Sequence, residues 1–225
     1  PRDMTMRISD EAIYQYIYLP SLRRQENLVP YLARAHRRRQ LKGHRHTHRD
    51  PHIPERISIQ HRPRVAESRQ QFGHWERDGM ETRKGRSGLN VLVERKSRYV
   101  KIDKVPQRTA RNVSTATIRR LARYPRGMRR TLTYDNGKEN VEHLRINQRL
   151  GSRSFFCEPY HSWEKGTVEN TIGLVRRVLP KSTNFDDVAP AEIKAIERRM
   201  NNRPRKVLHF STPAEIFAQG VALTR

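Results

Sequence analysis

From Phe72 onward the apolar residues switch repeatedly between a period of two and a period near 3.6, and that succession leaves few folds open. Leu89, Val91 and Val93 alternate with more polar neighbours, Arg95-Lys96-Ser97 makes a turn, and Tyr99-Val100-Lys101-Ile102 resumes the extended run, so the spacing predicts a hairpin. Ala110, Val113, Thr117, Leu121 and Tyr124 fall on one helical face, and Pro125-Arg126-Gly127 ends that helix. A strand closing at Asp135, a helix over 138–150, a strand over 152–157 and helices over 165–178 and 189–202 follow, the last with Ala189, Ile193, Ile196 and Met200 inward. With a strand from Gly73 to Asp78 in front, the order is three strands, helix, strand, helix, strand, helix, helix. The expected class is α/β, a mixed five-stranded sheet flanked by helices.

The chain before this domain reads differently. Residues 9–19 predict a short helix, with Ser9 as N-cap, Asp10 and Glu11 in the first turn, and Pro20 as its stop. A second helix is expected over 28–41, where Leu28, Leu32 and Ala35 give way to Arg37-Arg38-Arg39. From Lys42 to Gln71 there is no apolar period, three prolines interrupt, and His44, His46, His48 and His52 cluster. Without cysteines or ordered carboxylates to complete a metal set, this stretch reads as a solvated basic linker lying on phosphates. The expected organisation is therefore a helical segment at 1–41, a basic linker at 42–71 and the α/β domain at 72–225.

Charge narrows the partner. Lys and Arg number 47 against 23 Asp and Glu, a net +24. Self-repulsion of that size opposes compaction, so such a surface is usually kept for a polyanion, most often nucleic acid. It does not distinguish a binder from an enzyme. A single cysteine, Cys157, excludes an intramolecular disulfide and fits a reducing compartment, while Phe155 and Phe156 mark it as a buried strand residue. With no membrane-length apolar run and no signal peptide, a cytoplasmic protein without membrane association is expected.

Chemistry is suggested by the acids. Asp78 and Asp135 each close a β-like run, Asp135 followed at once by Asn136-Gly137, and Glu169 stands near the start of a helix after the Pro/Gly loop that leaves Cys157. A helix-start Glu has a plain explanation in the helix dipole. Three such carboxylates in a very basic chain point instead to a metal site.

The order of elements is that of a ribonuclease-H-like domain, an analogy that leaves function open. Specific residues carry a sharper resemblance. Gly73-His74-Trp75-Glu76-x-Asp78, Leu92-Val93-Glu94-Arg95-Lys96-Ser97-Arg98, Asp135-Asn136-Gly137-x-Glu139, Trp163-x-Lys165-Gly166-Thr167-x-Glu169-Asn170, and Asn202-Arg203-Pro204-Arg205-Lys206 with Thr212-Pro213-Ala214-Glu215 occur in that order over residues 73–217. Together they resemble the integrase core of the insertion-sequence-thirty family of bacterial transposases. The 33 residues that separate Asp135 from Glu169 (136–168) match that family's spacing. Ser9-x-Glu11-x-Ile13-Tyr14 resembles the end of its helix-turn-helix region, whose first part is missing; Gln15 and Arg77 stand where the family's Arg and Gly are expected.

The resemblance implies an Asp-Asp-Glu transposase in which Asp78, Asp135 and Glu169 are both catalytic residues and ligands of two Mg²⁺ or Mn²⁺ ions. Hard divalent ions take oxygen ligands, and a pair about 4 Å apart clamps the attacking and leaving oxygens of an in-line phosphoryl displacement. Water would free a 3′-hydroxyl at the element end, and that hydroxyl would attack target DNA with no covalent enzyme intermediate. Without metal the carboxylates repel, so one should hold a raised pKa. Lys165 and Asn170 would hold DNA near the reacting phosphate; Arg176, seven residues after Glu169 and so on nearly the same helix face, would grip the backbone; Arg203, Arg205 and Lys206 would contact phosphates. Glu139 is placed either on a metal-bound water or in a helix first turn, and Trp163 either on an unpaired base or in the core; His74 and Trp75 are read as packing residues. The expected partners are the element's terminal inverted repeats, target DNA and further copies of the chain. A metal-dependent nuclease of the same fold, and a non-catalytic DNA-binding remnant, remain as alternatives.

Overall fold

The structure, a computed structural model, describes residues 8–31, 53–82, 85–159 and 161–224, and the chain groups into two compact units that divide between Arg49 and Asp50. In the first unit, helix α1 (Asp10–Ile17) starts where the sequence places it: the Ser9 hydroxyl accepts from Ala12 N–H at 3.2 Å, with Asp10 and Glu11 in the first turn. Pro20 follows the stop and also opens α2 (Pro20–Gln25), because its fixed φ suits the first helical position. Of the helix expected over 28–41, only a 3₁₀ turn at Val29–Tyr31 falls within the described residues; the rest, with Arg37–Arg39 and the four clustered histidines, lies outside them.

The second unit is built on one five-stranded sheet in the order β3-β2-β1-β4-β5, from β1 (His74–Met80), β2 (Gly88–Glu94), β3 (Val100–Val105), β4 (Thr131–Tyr134) and β5 (Arg153–Phe156). The first three run antiparallel; β4 joins β1 in parallel and β5 joins β4 in parallel. Gly73 enters β1 at φ +92°, where any side chain would meet the Gly127 carbonyl oxygen at 2.4 Å. Residues Met80, Leu89, Val91, Val93, Val100 and Ile102 form one apolar cluster with α6 (Gly166–Arg176) and α7 (Pro190–Asn201). Trp75, Leu92, Leu132 and Tyr134 form a second with α4 (Ala110–Leu121), α5 (His143–Leu150) and α8 (Pro213–Leu223). The alternation of side chains along each strand thus assigns one cluster to each face of the sheet.

Two findings differ from the sequence reading. The reading carried the linker to residue 71, but from Ile53 the chain belongs to the second unit. Ile53, Ile59 and Ala66 are buried, Ile59 in a 3₁₀ turn (Ile59–His61) and Ala66 in α3 (Arg64–Ser68). They show no period because the segment wraps the sheet rather than forming one long element. It also covers an exposed strand edge: Phe156 N–H donates to Ile57 O at 2.8 Å. The opposite edge is closed by α7, whose Asn201 pairs with both Val100 N–H and C=O and whose Glu197 accepts from Ile102 N–H at 2.8 Å. The second difference is α8, which the reading missed although its signal was present: Thr212-Pro213-Ala214-Glu215 is a capping box with Pro at N1, and both reciprocal bonds form.

The packing roles of His74 and Trp75 hold. Trp75 is fully buried with its indole N–H on Met128 O at 2.8 Å, and the His74 ring lies between Thr131 Oγ1 and Gln71 Oε1.

Candidate active site

The register of the parallel pair decides what meets at the sheet's end. His74, Trp75 and Glu76 stand opposite Thr131, Leu132 and Thr133. Carried two residues on, from Glu76 to Asp78 and from Thr133 to Asp135, this sets the two aspartates level. β4 stops at Tyr134, whereas β1 continues to Met80 because its antiparallel neighbour β2 still pairs with it, Asp78 opposite Val91 and Met80 opposite Leu89. Asp78 is therefore inside its strand rather than closing it. Asp135 heads the turn: its Oδ1 accepts from Gly137 N–H at 3.2 Å and from Asn140 Nδ2 at 2.7 Å.

Between the two carboxylates lies one cation. Lys165 Nζ is 3.2 Å from Asp78 Oδ2 and 3.1 Å from Asp135 Oδ2, with its side chain only 3% exposed. The lysine read as a DNA contact is thus a buried counter-ion in the carboxylate site, drawn in because two acids at the foot of a sheet need a positive charge between them. Burial holds the Asp78 carboxyl above the usual range against Lys165, with Asp135 adding to the rise. Burial pushes Asp135 the same way, but the charge and hydrogen bond of Lys165, with Arg77 behind, prevail and hold it below. Asp135 thus adds to a rise at Asp78 that burial begins, as like charges brought close require.

Glu169 stands in the first turn of α6, half-buried, its carboxyl raised by burial first and then, against Lys165, by Asp78 and Glu76. It joins the aspartates electrostatically without closing on them: among the described residues no group of three acidic, His or Cys side chains converges as a metal cluster.

What holds this helix was not foreseen from sequence. Lys165, at the N-cap position, gives no side-chain cap; instead Glu76, fully buried on the same face of β1 as Asp78, accepts Val168 N–H at 2.8 Å. Its other oxygen pairs with Arg95, which in turn donates to Ala66 O. A charged residue in a strand buried on both faces, two positions before Asp78, was the available signal. Arg77, on the opposite face, is 2% exposed and donates to Asn90 Oδ1, Glu139 and Asn140 Oδ1, so that Arg77 fixes Asn140 and Asn140 fixes Asp135. Glu139 is accordingly an ion-pair partner of Arg77 at 3.3 Å in a 3₁₀ first turn.

The other expected residues scatter. Asn170 is exposed beside Glu169. Arg176 is not a free cation: it donates to Glu81 O, just past β1, and its guanidinium lies 5.8 Å over the Phe185 ring. Arg203 and Lys206 are exposed and Arg205 half-buried, all three between α7 and α8. The Trp163 side chain lies outside the described residues. Cys157 is buried, its thiol pushed up to about 12 chiefly by burial.

Two carboxylate oxygens converge on a single positive nitrogen at about 3 Å, an oxygen pair of the kind a hard cation takes, with Glu169 on the adjoining helix outside that convergence.

Comparisons with known proteins agree with this architecture. The family described as "Integrase core domain" matches residues 68–162. The transposase InsI of insertion sequence element IS30A from Escherichia coli is 37% identical over 229 residues, covering 100% of this chain and 59% of that protein. The transposase of IS1086 from Cupriavidus metallidurans is 38% identical, covering 99% and 66%, and that of IS4351 from Bacteroides fragilis is 38% identical, covering 94% and 64%. The chain thus spans about three fifths of the length of the E. coli relatives. The catalytic core domain of BIV integrase superposes with a TM-score of 0.52 at 23% identity, over 65% of this chain and 94% of that one. The simian T-cell lymphotropic virus intasome gives a TM-score of 0.54 at 20% identity, over 64% and 54%. These likenesses establish a ribonuclease-H-like integrase-core fold. With an identity of 37–38% running along the whole chain, it belongs to the IS30 family of insertion-sequence transposases.

Proposed function

We propose that this chain cuts and joins DNA as the catalytic part of an insertion-sequence transposase, a polynucleotidyl transferase acting on the element's terminal repeats and a target duplex. The observation that carries the reading is the pair Asp78 and Asp135, set level by the β1–β4 register and sharing one cation, at the foot of the helix that bears Glu169. Asp78, Asp135 and Glu169 would hold divalent metal, Mg²⁺ or Mn²⁺, with two ions as the stoichiometry this chemistry favours. Bound there, such ions supply Lewis-acid stabilisation of the attacking and leaving oxygens of a phosphodiester. The chain's own part is positional. Glu76 holds the first turn of α6, and with it Glu169; the Arg77–Asn140 pair orients Asp135 from behind the sheet. Lys165 neutralises the aspartates in the metal-free state and, once displaced, carries its charge to the rim, where a DNA phosphate can take it. Arg176 ties the end of α6 to the segment after β1, a positioning task in place of the backbone grip expected from its helix face. The cationic surface of a +24 chain gathers DNA by counterion release. A bacterial cytoplasmic setting, and copies of the chain assembled on DNA, accord with this chemistry.

Asp78→Asn, Asp135→Asn and Glu169→Gln test the reading. Each removes a charge while leaving shape, so cleavage and strand transfer on labelled repeat-end DNA should fall by orders of magnitude while affinity stays within a few fold. Undiminished Mg²⁺-dependent cleavage in any one of them removes that residue from the site. Supplying a pre-cleaved end separates the joining enzyme from a nuclease, which would cut and never join.

A further inference from the structure

The segment between α7 and α8 buries little yet is tightly built. Arg205 N–H donates to Ser211 O at 3.1 Å and Phe210 N–H returns to Arg205 O at 3.0 Å. The N–H groups of Leu208, His209 and Ser211 donate to the carbonyls of Arg205, Lys206 and Leu208, and the Thr212 cap of α8 closes the loop. A loop so tied holds its side chains where they are.

What it presents is apolar. Val207 is 69% exposed and Phe210 72% exposed. His209 and Phe210 stand at φ +52° and +64°, a left-handed conformation that glycine adopts freely and L side chains adopt at a cost. Phe210 therefore costs the fold through its backbone, while a ring left mostly in water contributes little in return. It belongs to neither apolar cluster of the sheet. Strained positions of this kind gather where a side chain serves something outside the fold.

The surroundings indicate what that is. Arg203, Arg205, Lys206 and His209 share this short segment with Phe210, and among the described residues none of the first three has a carboxylate within ion-pair distance. A second copy of the chain, also +24, would bring cations against cations. A polyanion with flat apolar faces behind its charges matches both features, and duplex DNA is such a molecule: phosphates meet the cations, and a base step accepts the ring.

We propose that residues 203–210 form a DNA wedge, in which Arg203, Arg205 and Lys206 hold phosphates while Phe210, beside Val207, enters a base step and unstacks it. The proposal rests on the reading of the chain as a DNA-acting protein and adds that it deforms the duplex.

The test uses the full chain and duplexes carrying 2-aminopurine, whose fluorescence rises when a base is unstacked. Wild type should raise the signal on binding. Phe210→Gly should abolish the rise and weaken binding roughly tenfold, a typical loss for one base–aromatic contact. It should leave the slope of log affinity against log salt unchanged, and it should raise the melting temperature of the free protein because the strain is gone. Lys206→Gln should do the reverse, lowering the slope by about 0.9 and keeping the signal at saturation. The wedge is overturned if Phe210→Gly unstacks DNA like wild type, if its melting temperature falls, or if it changes the sedimentation of the DNA-free chain, which would place the ring in a protein interface. A wild type that binds DNA without any fluorescence change overturns the wedge alone; one with no affinity for DNA overturns the functional reading as well.

Discussion

Replacing Glu76 by Gln asks whether β1 holds the helix that carries Glu169. The carboxylate is fully buried, one oxygen on Arg95, itself 5% exposed, and the other on Val168 N–H at 2.8 Å. A glutamine keeps one acceptor, so its amide nitrogen must face either the Arg95 guanidinium or the Val168 N–H, donor against donor. Loss of a helix cap alone costs about 1 kcal/mol. Leaving one member of a buried ion pair uncompensated costs about 3–5 kcal/mol, and the stranded Arg95 charge should therefore outweigh the lost cap. Against a total stability of about 5–15 kcal/mol that is a large share, and it corresponds to a fall in melting temperature of roughly 6–20 °C for a unit of this size. Glu76→Gln/Arg95→Met removes the stranded charge and should recover most of the loss, since a buried pair replaced by apolar groups is close to neutral. Urea unfolding supplies the energies, and amide exchange at Val168 shows whether the first turn of α6 opens. A cost below about 1 kcal/mol, or lost stability with unchanged protection at Val168, would show that Glu76 does not hold the helix.

Lys165→Met empties the place between Asp78 and Asp135. The chain should melt lower without metal, and calorimetry should show Ca²⁺ bound several-fold more tightly because no ammonium has to leave; unchanged affinity would mean that Lys165 does not stand where a cation binds. His74 is brought down to about 4 by burial first and then by Arg130, Arg95 and Arg62. The unfolded histidine takes its proton near pH 6.5 and the folded one only near 4. The associated stability is therefore full above pH 6.5 and drains as pH falls towards 4, by about 3 kcal/mol at most. In urea unfolding between pH 7 and 4.5, His74→Gln should show a shallower dependence than wild type, and equal slopes would refute the assignment. A chain beginning at residue 72 lacks Ile53, Ile59 and Ala66 and the Arg62 bond to Thr133 Oγ1, so it should melt well below one beginning at residue 50. Equal melting temperatures would return residues 53–71 to a linker.

The features legible in the chain are those that neighbours within four residues encode. The alternation of Leu89, Val91 and Val93, the cap at Ser9, the Asx turn after Asp135 and the capping box at Thr212 are local, and each formed as its pattern requires. The candidate acids were legible for a related reason: a carboxylate beside an apolar run stands out in a chain with so few acids. Tertiary structure alone decided which strands adjoin, and with that the register that levels Asp78 with Asp135. It also decided that Lys165 turns inward and Arg176 ties down to Glu81, and that residues 53–71 close a sheet edge. Glu76 and Val168 lie 92 positions apart, and their bond has no local signature. Period and propensity record what a residue does to the backbone next to it; a buried charge takes its meaning from whichever distant group the fold sets against it.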